Sequence, residues 1–318
     1  VESVVSHYDV AIIGGGPAGL AAAMFTRQRG MSSLVLEAES FGGQLVNLYP
    51  TKPIANFPTQ PELASRDLAR RLADQAVHFG AELREFEPVE FVGRTGGQFV
   101  VRTSREGIGS DAVVLALGLG RFAPRSLGLE SERDYLGRGL TYHLPPRDQI
   151  EEERIVVVGG GDSAVDTALS LDEIAGVTLV HRGPALRAYG HSRERLAASG
   201  VEVLLNAEVV GLGGDGRLDH VLVSIQDQES VEVPADLVMV SIGQVPDLRS
   251  AHEWQIPLDE CHVTVDSTMA TRAPGIFAAG DLADYRGKVK MIATAVAEGS
   301  TAAASVERFL MSGGLRAA

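Results

Sequence analysis

Cysteine is nearly missing. Cys261 is the only one in 318 residues, so the chain can build no internal disulfide, no CxxC pair and no multi-cysteine metal site. Basic side chains are in the minority, with 28 Lys and Arg against 42 Asp and Glu and a net charge of −14. That balance repels nucleic-acid phosphates and acidic lipid surfaces alike, and argues against both as partners. No apolar run approaches the ~20 residues of a membrane span, and the first residues lack the basic, apolar and small-residue order of a secretory signal. A cytoplasmic location is the expectation. The histidines His143, His181, His191, His220, His252 and His262 are scattered without HExxH-type spacing, so no metal site is expected. Cys261, next to His262, reads as a small core cysteine rather than an activated thiol, because nothing else in its segment is nucleophilic.

What is present is a globular composition, 45% apolar and 22% charged, over a length that suits about two domains. Residues 8–13 form a short apolar run. They are followed by Gly14-Gly15-Gly16-Pro17-Ala18-Gly19, an alanine-rich stretch to Arg29 and a second apolar run at 34–37. The order is strand, glycine turn, helix, strand. A second copy begins at Ile155: residues 155–158, then Gly159-Gly160-Gly161-Asp162-Ser163-Ala164, a helical stretch to about Leu171, and residues 177–181. Two such units make a pair of nucleotide-binding halves. Further strands are expected at 98–104, 112–117, 201–205, 221–225 and 237–242, an amphipathic helix at 62–78, and a long helix at about 292–310. The fold class is therefore α/β, with two Rossmann-like dinucleotide-binding domains. Residues 1–117 and 246–318 form one discontinuous domain, and residues 118–245 form the inserted one.

A pyrophosphate needs close backbone approach, free N–H groups and a favourable dipole, which a glycine turn opening a helix supplies. Gly14, Gly16 and Gly19 fit that fingerprint, with Pro17 and Ala18 between them. Glu37 closes the following strand, where a carboxylate accepts hydrogen bonds from an adenosine ribose. This copy suits the unphosphorylated ribose of FAD. In the second copy Gly159, Gly161 and Ala164 take the glycine positions, beside Asp162 and Ser163. Its strand ends in His181 and Arg182, with Arg187 following, and cations there pair with a 2′-phosphate that an acid repels. NADPH is the expected second nucleotide; a solvated basic loop is the alternative. A hydride donor and a flavin in one chain imply an oxidoreductase.

With both fingerprints placed, the chain resembles the low-molecular-weight thioredoxin reductase group of pyridine nucleotide flavoproteins over nearly its whole length. Gly275-Ile276-Phe277-Ala278-Ala279-Gly280-Asp281 is similar to that group's second flavin motif. The resemblance implies that Gly280 and Asp281 contact FAD, with Asp281 on the ribitol chain. A thioredoxin reductase of this kind needs a CxxC just before its second fingerprint. Here that stretch is Thr141-Tyr142-His143-Leu144-Pro145-Pro146, without sulfur. The branch with this scaffold and no dithiol is the thioredoxin reductase-like ferredoxin-NADP reductases, which the segment Gly42-Gly43-Gln44-Leu45-Val46-Asn47-Leu48-Tyr49-Pro50 resembles most closely.

That resemblance implies that Tyr49 stacks on the isoalloxazine ring, and that Gly43, Gln44, Leu45, Val89 and Phe122 contact FAD. It implies a homodimer exchanging electrons between NADPH and ferredoxin or flavodoxin. The chain's net charge of −14 opposes an acidic carrier, so docking needs a local basic patch; Arg66, Arg70, Arg71, Lys288 and Lys290 are candidates, with a solvated helix face the alternative. Two departures leave alternatives open. Arg182 is followed by Gly183-Pro184 where the group has a second arginine, which leaves the NADPH to NADH preference undecided and makes a non-catalytic FAD-binding redox sensor one alternative. The group also carries a C-terminal extension over the flavin that the sequence to Ala318 does not match. That favours, as a second alternative, an NAD(P)H oxidase or diaphorase using oxygen or a quinone.

Overall fold

A computed structural model of the protein describes residues 4–316, apart from 49, 51, 61, 119, 146–148, 151–152, 227–228, 248–253, 255, 257–258 and 260–261. Tyr49 and Cys261 therefore lie outside the described residues, as does the side chain of Phe122. The chain divides into two compact units: Val1–Phe122 with Pro246–Ala318, and Ala123–Val245 between them in sequence.

The first unit opens with β1 (Val4–Ile13), α1 (Pro17–Gln28), β2 (Ser33–Leu36) and α2 (Gln44–Asn47). A two-residue ladder of β3 (Pro53–Ile54) and β4 (Leu63–Ala64) leads into α3 (Ser65–His78). Then come β5 (Glu82–Arg84), β6 (Val89–Thr95), β7 (Gln98–Thr103) and β8 (Gly107–Leu115), and β9 (Arg121–Pro124) carries the chain onward. The second unit holds α4 (Glu132–Tyr135), β10 (Leu140–Thr141), β11 (Arg154–Val158), α5 (Asp162–Leu171), β12 (Gly176–His181) and α6 (Gly190–Ala197). It continues with β13 (Glu202–Leu205), β14 (Ala207–Gly213), β15 (His220–Ile225), β16 (Val231–Pro234) and β17 (Leu237–Val240). After β18 (Gln244–Asp247) the chain completes the first unit with β19 (Val263–Thr264), β20 (Ile276–Ala278), β21 (Ala283–Asp284) and α7 (Ile292–Met311).

In the first unit the sheet order is β5-β2-β1-β8-β7-β6, and β1, β2, β5 and β8 run parallel. β8 divides its outer edge. Residues Gly107 to Ser110 pair antiparallel with β7, whereas Val113 to Leu115 pair parallel with β20. Strand order reverses between β1 and β8, so a crevice opens beyond their C-terminal ends, where open α/β sheets bind ligands. The residues of β1 from Val10 to Ile12 are fully buried, as expected of a parallel strand with a partner on each edge. Helices α1 and α7 cross closely because of small residues. A Cβ on Gly299 would lie 2.2 Å from the Ala18 carbonyl oxygen.

The second unit repeats the scheme with an all-parallel sheet, β10-β17-β11-β12-β13, reversing between β11 and β17. Alternation along β11 sorts its side chains. Ile155 and Val157 pack with Val165, Ala168 and Leu171 of α5, while Val156 and Val158 pack with Val209, Val221 and Val223 of the antiparallel sheet β14-β15-β16. Both faces are covered, which is why β11 reads as an unbroken apolar run. Among the described residues no helix is long and apolar enough to cross a membrane.

Candidate functional site

Each fingerprint sits at its unit's switch point, and its glycines divide into two kinds. Gly14 has φ +102°, and a Cβ there would lie 2.3 Å from the Ala116 carbonyl oxygen just past β8. Gly159 has φ +154°, with a Cβ 2.5 Å from the Ser241 carbonyl oxygen just past β17. A Cβ on Gly19 would meet the Gly14 carbonyl oxygen at 1.9 Å, and Ala164 already fills the corresponding place beside Gly159. These positions are small because the fold leaves no room.

Gly16 and Gly161 differ. Their backbones are extended, φ −73°, ψ −177° and φ −93°, ψ −179°, which any residue can adopt, and no atom lies within 4 Å of a Cβ built on either. Neither conformation nor internal packing asks for glycine there. The backbone at both is open to close approach from outside, at the start of a helix whose N-cap offers no side-chain hydrogen bond. A pyrophosphate fits that description. Pro17 at the first position of α1 pre-sets its φ and gives up only an N–H that the helix would not have used.

Around the first turn the structure assembles most of the predicted flavin residues. Glu37 accepts the Gly15 N–H at 2.7 Å and the Glu39 N–H at 2.9 Å. Burial raises its carboxyl above the ordinary glutamate range, against those two hydrogen bonds. Each oxygen keeps a lone pair for a ribose hydroxyl. The loop before α2 lies against the turn: the Gly42 N–H donates to the Gly15 carbonyl at 2.9 Å, and a Cβ on Gly43, at φ +53°, would be 3.3 Å from the Gly16 Cα. Gln44 and Asp281, distant in sequence, meet directly, the Gln44 amide donating to the Asp281 carboxylate at 3.0 Å. Gly280 joins them through Ala18, whose Cβ would be 3.0 Å from a Cβ at Gly280. The Leu45 side chain is committed to packing with Leu68, Ala69 and Ile54. Val89 opens β6, half-buried against the unit's core.

The second turn corrects one expectation. His181 is not a cation presented to a phosphate: it is 7% exposed, and a Cβ on Gly160 would lie 2.2 Å from its Nδ1. Its Nε2–H donates to the Ala185 carbonyl at 3.1 Å. Burial, reinforced by Arg187 and Arg182, lowers its pKa, so the ring is neutral. Phe41 does the same in the first unit, its ring 2.4 Å from a Cβ built on Gly15. A flat ring over the middle glycine is thus common to both cradles. Sequence reasoning missed Phe41 and gave His181 a different role. The exposed cations are Arg182 and Arg187, and the Arg187 N–H is tied to the Gly160 carbonyl at 2.7 Å. Asp162 accepts the Tyr189 N–H at 2.8 Å, which holds that loop to the start of α5, where Ser163 is half-buried.

Lys288 needs the same kind of correction. Its side chain is 7% exposed and paired with Glu298, so it is no docking cation. Arg66, Arg70, Arg71 and Lys290 are exposed. At the position where a dithiol would stand, β10 runs into Thr141, whose hydroxyl donates to the His143 carbonyl at 2.9 Å, and Tyr142, whose hydroxyl bonds Glu132. Neither is redox-active.

The family model for pyridine nucleotide-disulphide oxidoreductases matches residues 8–299. The chain belongs to the pyridine nucleotide-disulphide oxidoreductase family. It is an oxidoreductase that departs from the family's title in lacking the disulphide. A ferredoxin-NADP reductase of Streptococcus pyogenes serotype M2 is 40% identical over 301 residues, 93% of this chain and 91% of that one. Among solved structures, the thioredoxin reductase of T. acidophilum superposes with a TM-score of 0.86 at 26% identity over 96% of this chain and 99% of that one. Lactococcus lactis thioredoxin reductase gives 0.84 at 28% identity with the same coverage. Family membership and the thioredoxin reductase-like fold over the whole chain agree with the two cradles.

Proposed function

We propose that this family member holds FAD in the first unit and NADPH in the second, and passes electrons between NADPH and a one-electron carrier, ferredoxin or flavodoxin. One observation carries the reading: a glycine turn opens a helix at the switch point of each unit's sheet, while residues 141–146 hold no sulfur. The relative at 40% identity is named for the same activity. Bound FAD supplies the chemistry, accepting two electrons from a nicotinamide and releasing them singly.

The chain's residues bind and orient. The α1 turn at Gly16 takes the FAD pyrophosphate, Glu37 the adenosine ribose, and the Gln44–Asp281 pair the ribitol side. The α5 turn at Gly161 takes the NADPH pyrophosphate, and Arg182 and Arg187 its 2′-phosphate. Arg66, Arg70 and Arg71, exposed on α3 with Asp74 beside Arg70, are the cations offered to an acidic carrier in a chain whose net charge is −14. Anaerobic titration with NADPH tests the reading. The flavin should bleach, and oxidised ferredoxin or flavodoxin should restore its colour faster than air does. A flavin that NADPH leaves oxidised overturns it, and preferential reoxidation by air or a quinone makes the protein an oxidase or diaphorase.

A further inference from the structure

A buried ion pair lies under the turn that presents Asp281. Gly280, at φ +78°, has both backbone groups held by it. The Gly280 N–H donates to Glu298 Oε2 at 2.8 Å, and the Lys288 ammonium donates to the Gly280 carbonyl at 2.8 Å. Lys288 Nζ also reaches Glu298 Oε1 at 2.5 Å and Oε2 at 2.6 Å. Tyr285 completes the cluster, its hydroxyl donating to Glu298 Oε1 at 2.7 Å. The Lys288 and Glu298 side chains are 7% and 4% exposed.

Stability alone does not account for such a pair. Desolvating two charges offsets most of their attraction, and apolar or neutral residues of similar volume often fold as well. What this pair does that neutral residues do not is grip both polar groups of one residue with opposite charges. That fixes the peptide leading into Asp281, whose carboxylate then meets Gln44 at 3.0 Å. Glu298 is itself anchored, since Gly299 beside it touches the Ala18 backbone of α1. The grip therefore ties the Asp281 turn to the helix that opens the pyrophosphate cradle.

We propose that Lys288 and Glu298 are positioning residues for the flavin, holding Gly280 so that Asp281 is preset for its ligand. This rests on the FAD reading above. The test compares apoprotein of the full chain as wild type, Lys288→Met, Glu298→Gln and the double variant, by thermal melting, FAD titration and visible circular dichroism of the bound flavin. Each single variant leaves one charge buried without its partner and should lower both melting temperature and FAD affinity. The double variant removes both charges. It should recover most of the apoprotein melting temperature, yet bind FAD at least about tenfold more weakly with an altered flavin dichroism, because the Gly280 carbonyl has lost its charged donor.

A double variant with wild-type FAD affinity and dichroism overturns the proposal and leaves the pair a support of the fold. Should the double variant not fold, Tyr285→Phe carries the test. It removes one of the two donors to Glu298 Oε1 while leaving the ion pair, and should weaken FAD about threefold and shift the dichroism; wild-type values for both again overturn the proposal. Failure of the wild-type chain to bind FAD strikes the flavin reading itself, and is thereby distinct.

Discussion

Replacing Gly16 with alanine separates what the fold requires from what a ligand requires. The backbone at Gly16 is extended and the space around a Cβ is open. Alanine there gains roughly 0.4–1 kcal/mol by restricting the unfolded chain and loses up to about 1 kcal/mol as a poorer N-cap than glycine. Apoprotein stability should therefore change by less than about 1 kcal/mol. Gly14→Ala is the contrasting case. Its Cβ would sit 2.3 Å from the Ala116 carbonyl oxygen at φ +102°, so overpacking and the left-handed backbone together should cost about 2–5 kcal/mol. For FAD the order reverses in kind. The Gly16 methyl would occupy the space assigned to the pyrophosphate and displace charge-assisted hydrogen bonds, costing about 2 kcal/mol or more, a loss of at least about thirtyfold in affinity. Urea denaturation of the two apoproteins and fluorescence titration with FAD measure both quantities. A Gly16→Ala protein as unstable as Gly14→Ala, or one with wild-type FAD affinity, would refute the reasoning.

In the second unit, Arg187→Ala and Arg182→Ala should each raise the KM for NADPH by about 10-fold to 100-fold while leaving that for NADH within about threefold, because only NADPH carries the 2′-phosphate; steady-state kinetics with both nucleotides checks this. His181 titrates at lower pH in the fold than in the unfolded chain. As pH falls below about 6.5, the unfolded state therefore binds more protons and stability drops. His181→Phe, which copies the ring of Phe41, should flatten the decline of the urea midpoint between pH 7.5 and 5; an unchanged slope counts against the assignment. Cys261→Ser should leave NADPH-driven carrier reduction within about twofold of wild type, since a lone cysteine forms no redox-active pair.

The glycine turns were legible because their spacing encodes geometry directly: a tight turn, a helix start and a close approach each demand glycine at a fixed place. The helix expected at 62–78 begins three residues later, at Ser65. Glu62 has φ +64°, and Leu63 and Ala64 pair with β3, a tertiary contact that helical periodicity does not reveal. The strand expected at 112–117 begins at Gly107. Its glycine and polar residues hide a segment that β1 and β7 hold from both sides. Helix α6 escaped notice because its sequence is almost wholly polar. At the sites, residue type suggested cations at His181 and Lys288, but burial decides their roles. A ring enclosed over Gly160 is neutral, and an ammonium enclosed with Glu298 is structural.

The account stands or falls on where reducing equivalents go once they enter the flavin. The most direct measurement is anaerobic stopped flow: FAD-loaded protein reduced with one equivalent of NADPH, then mixed with oxidised ferredoxin in one syringe and with a disulphide substrate such as oxidised thioredoxin in another. The account predicts rapid reoxidation by the ferredoxin and none by the disulphide. Reoxidation by the disulphide, or a reduced flavin indifferent to the ferredoxin, would contradict it.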